Sequence, residues 1–170
     1  QFTVMTDIGK WTTPTMTIPV FTGKDWELQN IKHRLLNPYN PKDKYRPEKS
    51  GLSTSPFFCE PEIMFDSERI LIVEGEKKAM VTYLTLEDSK IQVIGLPGKN
   101  QWRSILDSLS GQTIYIMLDP DALSEAVEFS NKVNGRVINI AMKIDDAINE
   151  GAINKSGIQK LLAGARRFNG

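Results

Sequence analysis

Ile70-Leu71-Ile72-Val73-Glu74-Gly75-Glu76-Lys77-Lys78-Ala79 decides how the rest of the chain is read. Four apolar residues, three of them β-branched, run straight into an acid, a glycine and a second acid. A helical pattern follows at once. The design recurs further along: Ile114-Tyr115-Ile116-Met117-Leu118, then Asp119-Pro120-Asp121-Ala122, then another helical pattern. Neither apolar run alternates with polar residues, so both read as buried parallel strands. In open α/β sheets, ligands sit beyond the carboxyl ends of the strands. Glu74, Glu76, Asp119 and Asp121 are therefore expected on one rim. Carboxylates without histidine or cysteine suit a hard divalent cation such as Mg²⁺.

Working outward, residues 69–165 read as alternating strands and helices. Strand 70–73 leads to a helix near 77–86 with Ala79, Met80, Tyr83 and Leu84 as its apolar stripe. A second strand is expected at Ile91–Gly95, a loop at Leu96–Asn100 and a short helix from Trp102 to Leu109. A third strand covers Thr113–Leu118, a helix Ser124–Val133 with Ser124 as N-cap, and a fourth strand Arg136–Ala141. A last helix spans roughly 155–163. Such an order implies a mostly parallel four-stranded sheet with right-handed crossovers and helices on both faces, a Rossmann-like α/β fold. Leu96-Pro97-Gly98-Lys99-Asn100 lacks the glycine spacing and the Ser or Thr of a P-loop. Trp102 reads as a packing anchor.

Residues 1–66 differ in kind. They hold seven of the nine prolines. Thr17–Phe21 reads as a short edge strand that tolerates Pro19, Thr22–Asp25 as a turn, and Trp26–Leu35 as a half-buried antiparallel strand. The segment is thus expected to be a small β-rich subdomain (1–66) ahead of the α/β domain (67–170). Lys32, His33 and Arg34 on the second strand, with Lys42, Lys44, Arg46 and Lys49 in the loop after it, form the densest positive stretch. Tyr39 and Tyr45 are interleaved with it. Lys32, Arg34, Lys44 and Arg46 are candidates for phosphate contacts, and a tyrosine for stacking on a base. Strand alternation points His33 away from Lys32 and Arg34.

Bulk properties narrow the function classes. The 21 basic and 21 acidic residues balance to zero, so any nucleic-acid surface must be local. The single cysteine, Cys59, excludes an internal disulfide and a cysteine-rich zinc site within this sequence. No apolar stretch approaches the roughly 18 residues of a membrane span. The chain begins with Gln1, as a piece of a longer protein would.

Glutamate-glycine after one buried strand and Asp119-x-Asp121 after a later one resemble the Toprim domain, which DnaG-type primases, topoisomerases and some nucleases share. Lys143-x-Asp145-Asp146 resembles the further acidic element of primase-like members. Ile18–Phe21, Lys32–Leu35 and Lys44–Arg46 are similar to the small N-terminal part of a primase catalytic core of the phage primase-helicase type. The resemblance implies a nucleotidyltransferase, a DNA-directed RNA polymerase that makes short RNA primers on single-stranded DNA from ribonucleotide triphosphates. It implies Mg²⁺ or Mn²⁺ held by Glu74, Asp119, Asp121, Asp145 and Asp146, with Glu74, Asp119 and Asp121 catalytic. Lys32, Arg34, Lys44, Arg46, Lys77 and Lys78 would contact nucleotide or DNA. A replicative helicase or zinc-binding module in the full-length protein is implied too, as is the cytoplasm of a bacterial or phage-infected cell, with no membrane association. A metal-dependent Toprim nuclease and a non-catalytic DNA- or partner-binding module are the rival readings. One departure stands out: Lys78 occupies a position where many primases carry aspartate.

Overall fold

A computed structural model of the chain describes residues 1–22, 27–50, 55–63, 65–87 and 90–168. The chain divides into two compact units, Gln1–Thr54 and Ser55–Gly170.

The first unit is all β among its described residues. Strands β1 (Phe2–Thr6) and β2 (Gly9–Thr13) form an antiparallel hairpin. Strands β3 (Thr15–Thr22), β4 (Glu27–Leu35) and β5 (Tyr45–Pro47) form an antiparallel sheet in that order. Pro19 and Pro47 lie on the two edge strands, where a missing N–H leaves the central ladder intact. The hairpin expected from the alternation is β3–β4, with a register shift between Val20 and Phe21. The β1–β2 hairpin was not foreseen, and part of the segment expected as a loop is strand β5. Residues 23–26, which hold most of the expected turn at Thr22–Asp25 and the first residue of the expected second strand, lie outside the described residues.

The second unit holds a five-stranded sheet in the order β10 (Arg136–Val137), β9 (Thr113–Met117), β7 (Arg69–Glu74), β8 (Ile91–Leu96) and β6 (Phe57–Phe58). Strand β7 (Arg69–Glu74) is central, flanked in parallel by β8 (Ile91–Leu96) and β9 (Thr113–Met117). Burial of Ile70, Leu71, Ile72 and Val73 is complete, which is why the sequence shows no alternation there. Odd and even residues of these strands feed two cores. Ile70, Ile72, Ile94 and Ile116 pack with Trp102, Ile105 and Phe129 on one face. Leu71, Val73, Val93 and Met117 pack with Ala79, Leu86, Ile144, Ile158 and Leu162 on the other. Helices α1 (Glu76–Leu86), α3 (Ile144–Asn149) and α4 (Lys155–Gly164) cover the second face, and α2 (Leu123–Val133) covers the first. Trp102 is buried and stacks on Phe129 at 5.0 Å between centroids, so it is the packing anchor expected.

The expected α/β architecture is present, with differences that have physical causes. A fifth strand, β6 (Phe57–Phe58), joins antiparallel to β8. Strand β10 is only Arg136–Val137, because its neighbour β9 ends at Met117 before the Asp119-Pro120 turn; one more ladder bond, Ile138 N–H to the Ile116 carbonyl, closes it. Gln101–Ser108 is a 3₁₀ segment rather than an α-helix. Ser124 lies inside α2, which grows directly from a 3₁₀ turn at Pro120–Ala122 and is preceded by Ala122; its hydroxyl donates to Glu125. The buried face of α1 is Glu76, Ala79, Thr82 and Leu86, while Leu84 is 69% exposed. Gly95 of β8 sets that rotation: a Cβ there would lie 2.8 Å from the Gly75 carbonyl oxygen and 3.0 Å from the Ala79 Cβ. The bare glycine lets the first turn of α1 sit directly on the sheet.

Candidate functional site

The strand–helix junction at Glu74-Gly75-Glu76 depends on Gly75. It has φ +89° and ψ 147°, a conformation open to glycine and very little else. Its N–H donates to the Leu96 carbonyl and its own carbonyl accepts from Ala79 N–H, so the turn is tied to β8 and to α1 at once. Glu74 is thereby left at the carboxyl end of β7. Asp119 follows the neighbouring strand β9 with extended backbone, as the residue before a proline must. Its carboxylate makes no capping bond to the 3₁₀ turn that it precedes, so capping does not account for it.

The acids of this rim sense one another. Burial raises the Glu74 carboxyl above its ordinary range, and Asp119 and Asp121 push it further; Lys78 and Lys99 oppose them. One carboxylate oxygen of Glu74, Oε2, is buried without a hydrogen-bond partner. Asp121 is exposed. Asp145 is buried at the start of α3, and Asp146 beside it is exposed. Neither caps α3 through its side chain. Glu76, expected to be on the same rim, is 4% exposed and belongs to the buried face of α1.

Lysines complete the arrangement. Lys78 Nζ straddles the Asp119 carboxylate, 2.7 Å from Oδ1 and 2.8 Å from Oδ2. Lys143 Nζ lies 3.6 Å from the same Oδ2. Lys77 Nζ is 2.7 Å from Asp145 Oδ2. Burial raises the Asp145 carboxyl, but the Lys77 hydrogen bond and charge, helped by Lys78, outweigh it and hold the group below the ordinary range. Lys99 pairs with Glu125 at 2.6 Å, and that clasp, with the Ser124 hydroxyl, lowers Glu125 to about 2. The structure thus brings Glu74, Asp119, Asp121 and Lys78 together and pairs Asp145 with Lys77. Lys143 was missed as a member of the site; its position two residues before Asp145 was the available signal.

Glu74, Asp119 and Asp121 form an all-oxygen donor set, and the open Glu74 Oε2 is an acceptor in want of a partner, which fits a hard cation. Among the described residues, however, no three acidic, histidine or cysteine side chains converge on one ion position. Lys78 stands on Asp119 instead.

The basic candidates of the first unit are divided by strand geometry. Lys32 and Arg34 share one face of β4, opposite Pro47 and Tyr45; His33 faces the other way with Arg46. Lys32 is 8% exposed, on the same face as buried Ile18, Val20 and Asn30. Arg46 Nη2 binds Asp43 Oδ2 at 2.7 Å, and His33 Nε2 lies 3.0 Å from Glu48 Oε1. Lys44 and Tyr45 are exposed.

No protein-family model matches this sequence, and no curated protein matches it. Solved structures do. The chain is similar to a structure of bacteriophage T7 lagging-strand DNA polymerase interacting with primase domains of two gp4 subunits bound to an RNA/DNA hybrid and dTTP. There the TM-score is 0.68 at 15% identity, over 98% of this chain and 83% of that one. It is also similar to the DnaG primase catalytic domain bound to single-stranded DNA, with TM-score 0.62, 14% identity and coverage of 97% and 58%. The Escherichia coli primase catalytic core gives TM-score 0.62 at 14% identity, over 96% and 57%. The chain thus spans little more than half the length of these two primase structures. At such identities the likeness speaks for the fold: the chain has the fold of a DnaG-type Toprim primase core.

Proposed function

We propose that this chain is the catalytic core of a primase-like nucleotidyltransferase, joining ribonucleotides into short primers on a single-stranded DNA template. The observation that carries this reading is the gathering of Glu74, Asp119 and Asp121 at the carboxyl ends of two adjacent parallel strands. The likeness to primase catalytic domains supports it.

Phosphoryl transfer asks a protein chiefly for position and electrostatic stabilisation. Glu74, Asp119 and Asp121 would hold Mg²⁺, with Asp145 and Asp146 a further acidic element. The bound ion would supply charge neutralisation for the attacking and leaving oxygens. Glu74, whose carboxyl is raised and whose Oε2 is open, would either complete the ion's donors or, in place of that role, receive the proton of an attacking 3′-hydroxyl. Lys99 and Lys143 add positive charge at the same rim for a triphosphate. Half-buried Arg34, with its register partner Tyr45, and exposed Lys44 are the residues of the first unit that would meet a template. A helicase or a zinc-binding module would be a natural companion of such a core in a longer protein.

Template-dependent oligoribonucleotides, made with Mg²⁺ and all four ribonucleotide triphosphates and lost on Asp119→Ala or Glu74→Ala, are the expected result. Cleavage of labelled DNA without nucleotides would instead support a nuclease. The Lys78–Asp119 ion pair favours a second reading, a module that binds DNA without turnover. DNA binding that is indifferent to Asp119→Ala, with no synthesis by wild type in the presence of its helicase and zinc modules, would establish it.

A further inference from the structure

Lys77 and Lys78 stand in the first turn of α1, where the helix dipole disfavours cations by a few tenths of a kcal/mol or more each. Something must offset that placement, and in each case it is a nearly buried carboxylate. The Lys78 side chain is 15% exposed and its Asp119 partner 8%. Both oxygens of Asp119 face the ammonium, so the carboxylate has little left to offer an ion while Lys78 is in place. The charges of the rim tell the same story. Glu74, Asp119, Asp121 and Asp145 face Lys77, Lys78 and Lys143, with Lys99 at the same rim held by Glu125. Most of the negative charge of the rim is thus already met by the chain's own lysines. Yet Glu74 Oε2 remains buried without a hydrogen-bond partner. An arrangement content with its lysines would not leave that carboxylate oxygen bare.

We propose that Lys78 is a tethered counter-ion which holds Asp119 in the metal-free chain and must be displaced when a divalent cation loads. Loading is then an exchange of ammonium for metal on Asp119. The inference rests on the metal-dependent reading above and adds a specific competitor to it. An aspartate at this position would add a donor; a lysine sets a threshold, so that the site fills only at a cation concentration that overcomes the internal pair. The lysine stem is long and flexible enough to withdraw without moving α1. Asp121, exposed and one turn-residue away, and Glu74, with its open oxygen, are the donors that wait for the ion.

The test is Mn²⁺ binding to the whole 170-residue chain, read from the electron paramagnetic resonance of free Mn²⁺, for wild type, Lys78→Met and Lys78→Arg. Removing the competitor should tighten apparent binding about tenfold or more, because affinity is reduced by the fraction of molecules in which Asp119 is engaged. Lys78→Arg, which keeps the charge, should bind no more tightly than wild type. Unchanged or weaker binding by Lys78→Met would overturn the inference and leave the metal-dependent reading standing. Failure of both wild type and Lys78→Met to bind at millimolar Mn²⁺ would overturn both. Should Lys78→Met not fold, the Lys78 ammonium ¹⁵N resonance of wild type decides. Its loss of the bound signature on saturation with Mg²⁺ supports the exchange, and its persistence refutes it.

Discussion

The two units treat a cluster of charged residues in opposite ways. In the α/β unit, Glu74 and Asp119 are 45 positions apart, and Asp145 lies further along still, yet Glu74 and Asp119 sense each other and the adjacent lysines Lys78 and Lys77 of α1 pair with Asp119 and Asp145. In the β unit, Lys32, His33, Arg34 and the Lys44–Arg46 stretch are close in sequence and are parted: Lys32 and Arg34 face one way, His33 and Arg46 the other. Parallel strands of equal register end at one level, so residues just past their carboxyl ends are gathered however far apart they lie in the chain. Residues along an antiparallel strand alternate, so a compact run is halved. Chemistry that needs convergence is better built at strand ends, and that is where the acids are.

The most damaging way to break this contrast is to lift α1 off the sheet. Gly95→Val should cost about 3 kcal/mol or more, since its Cβ would press on the Gly75 backbone oxygen at 2.8 Å. Thermal melting and amide chemical-shift dispersion of residues 55–168 should both report the loss. Gly95→Val with dispersion intact would show that the strand–helix junction does not fix the rim.

Next in size is the effect of Asp119→Ala on primer synthesis, expected to fall at least about a hundredfold; the variant also strips Lys78 of its nearly buried partner and should lower Tm, so synthesis is compared at a temperature where both proteins are folded. Arg46→Ala, whose guanidinium is already engaged by Asp43, should lower synthesis far less. If the two variants lose activity alike, the gathering of acids is not what separates the units.

How much of this was visible beforehand follows from the same geometry. The buried strands were legible because Ile70–Val73 and Ile114–Leu118 have no polar face to obscure them. The acid positions were legible because each ends such a strand. The partners of the acids were not: Lys78 reads equally well as a phosphate ligand until Asp119 is seen beneath it. Nor was the role of Gly95, which looks like any strand glycine until the packing of Ala79 and Glu76 against it is known. Strands β1, β2, β5 and β6 were missed because short or polar strands lack both an apolar run and clean alternation. Lys32 was read as a phosphate contact from the local run of positive charge and from the primase resemblance; the residue lies on a buried face.

Smaller again is the expected effect on template binding. Arg34→Ala should reduce the dependence of log affinity on log salt by about 1 for a single-stranded DNA probe, the signature of one lost phosphate contact. Arg46→Ala should leave that slope nearly unchanged. Equal slopes would mean that the halving of the basic run by strand alternation has no bearing on DNA.

The smallest effect is one of stability, and its sign is the useful part. The Glu74 carboxyl is raised in the folded chain, first by burial and then by Asp119 and Asp121. The folded state therefore holds a proton that the unfolded state releases, over the interval between the ordinary glutamate range and the raised value. Protons bound in excess by the folded state mean that stability falls as pH rises through that interval. Glu74→Gln removes the ionisation and should raise Tm at neutral pH. The gain should shrink as pH falls below the ordinary glutamate range, where wild type is protonated in both states. Asp145 is the counterpart with the opposite sign: Lys77 holds it below the ordinary range. Its contribution is present above the ordinary aspartate range and lost as pH falls through the depressed value, so Lys77→Met should lower Tm at neutral pH, by an amount that shrinks as pH falls and Asp145 is protonated in wild type as well. Melting curves of wild type, Glu74→Gln and Lys77→Met across pH therefore test whether the rim keeps one acid in want of a cation and another already supplied with one. A loss of Tm at neutral pH in Glu74→Gln would mean that this carboxylate is satisfied as it stands, and that the rim has no need of a further ion at that corner.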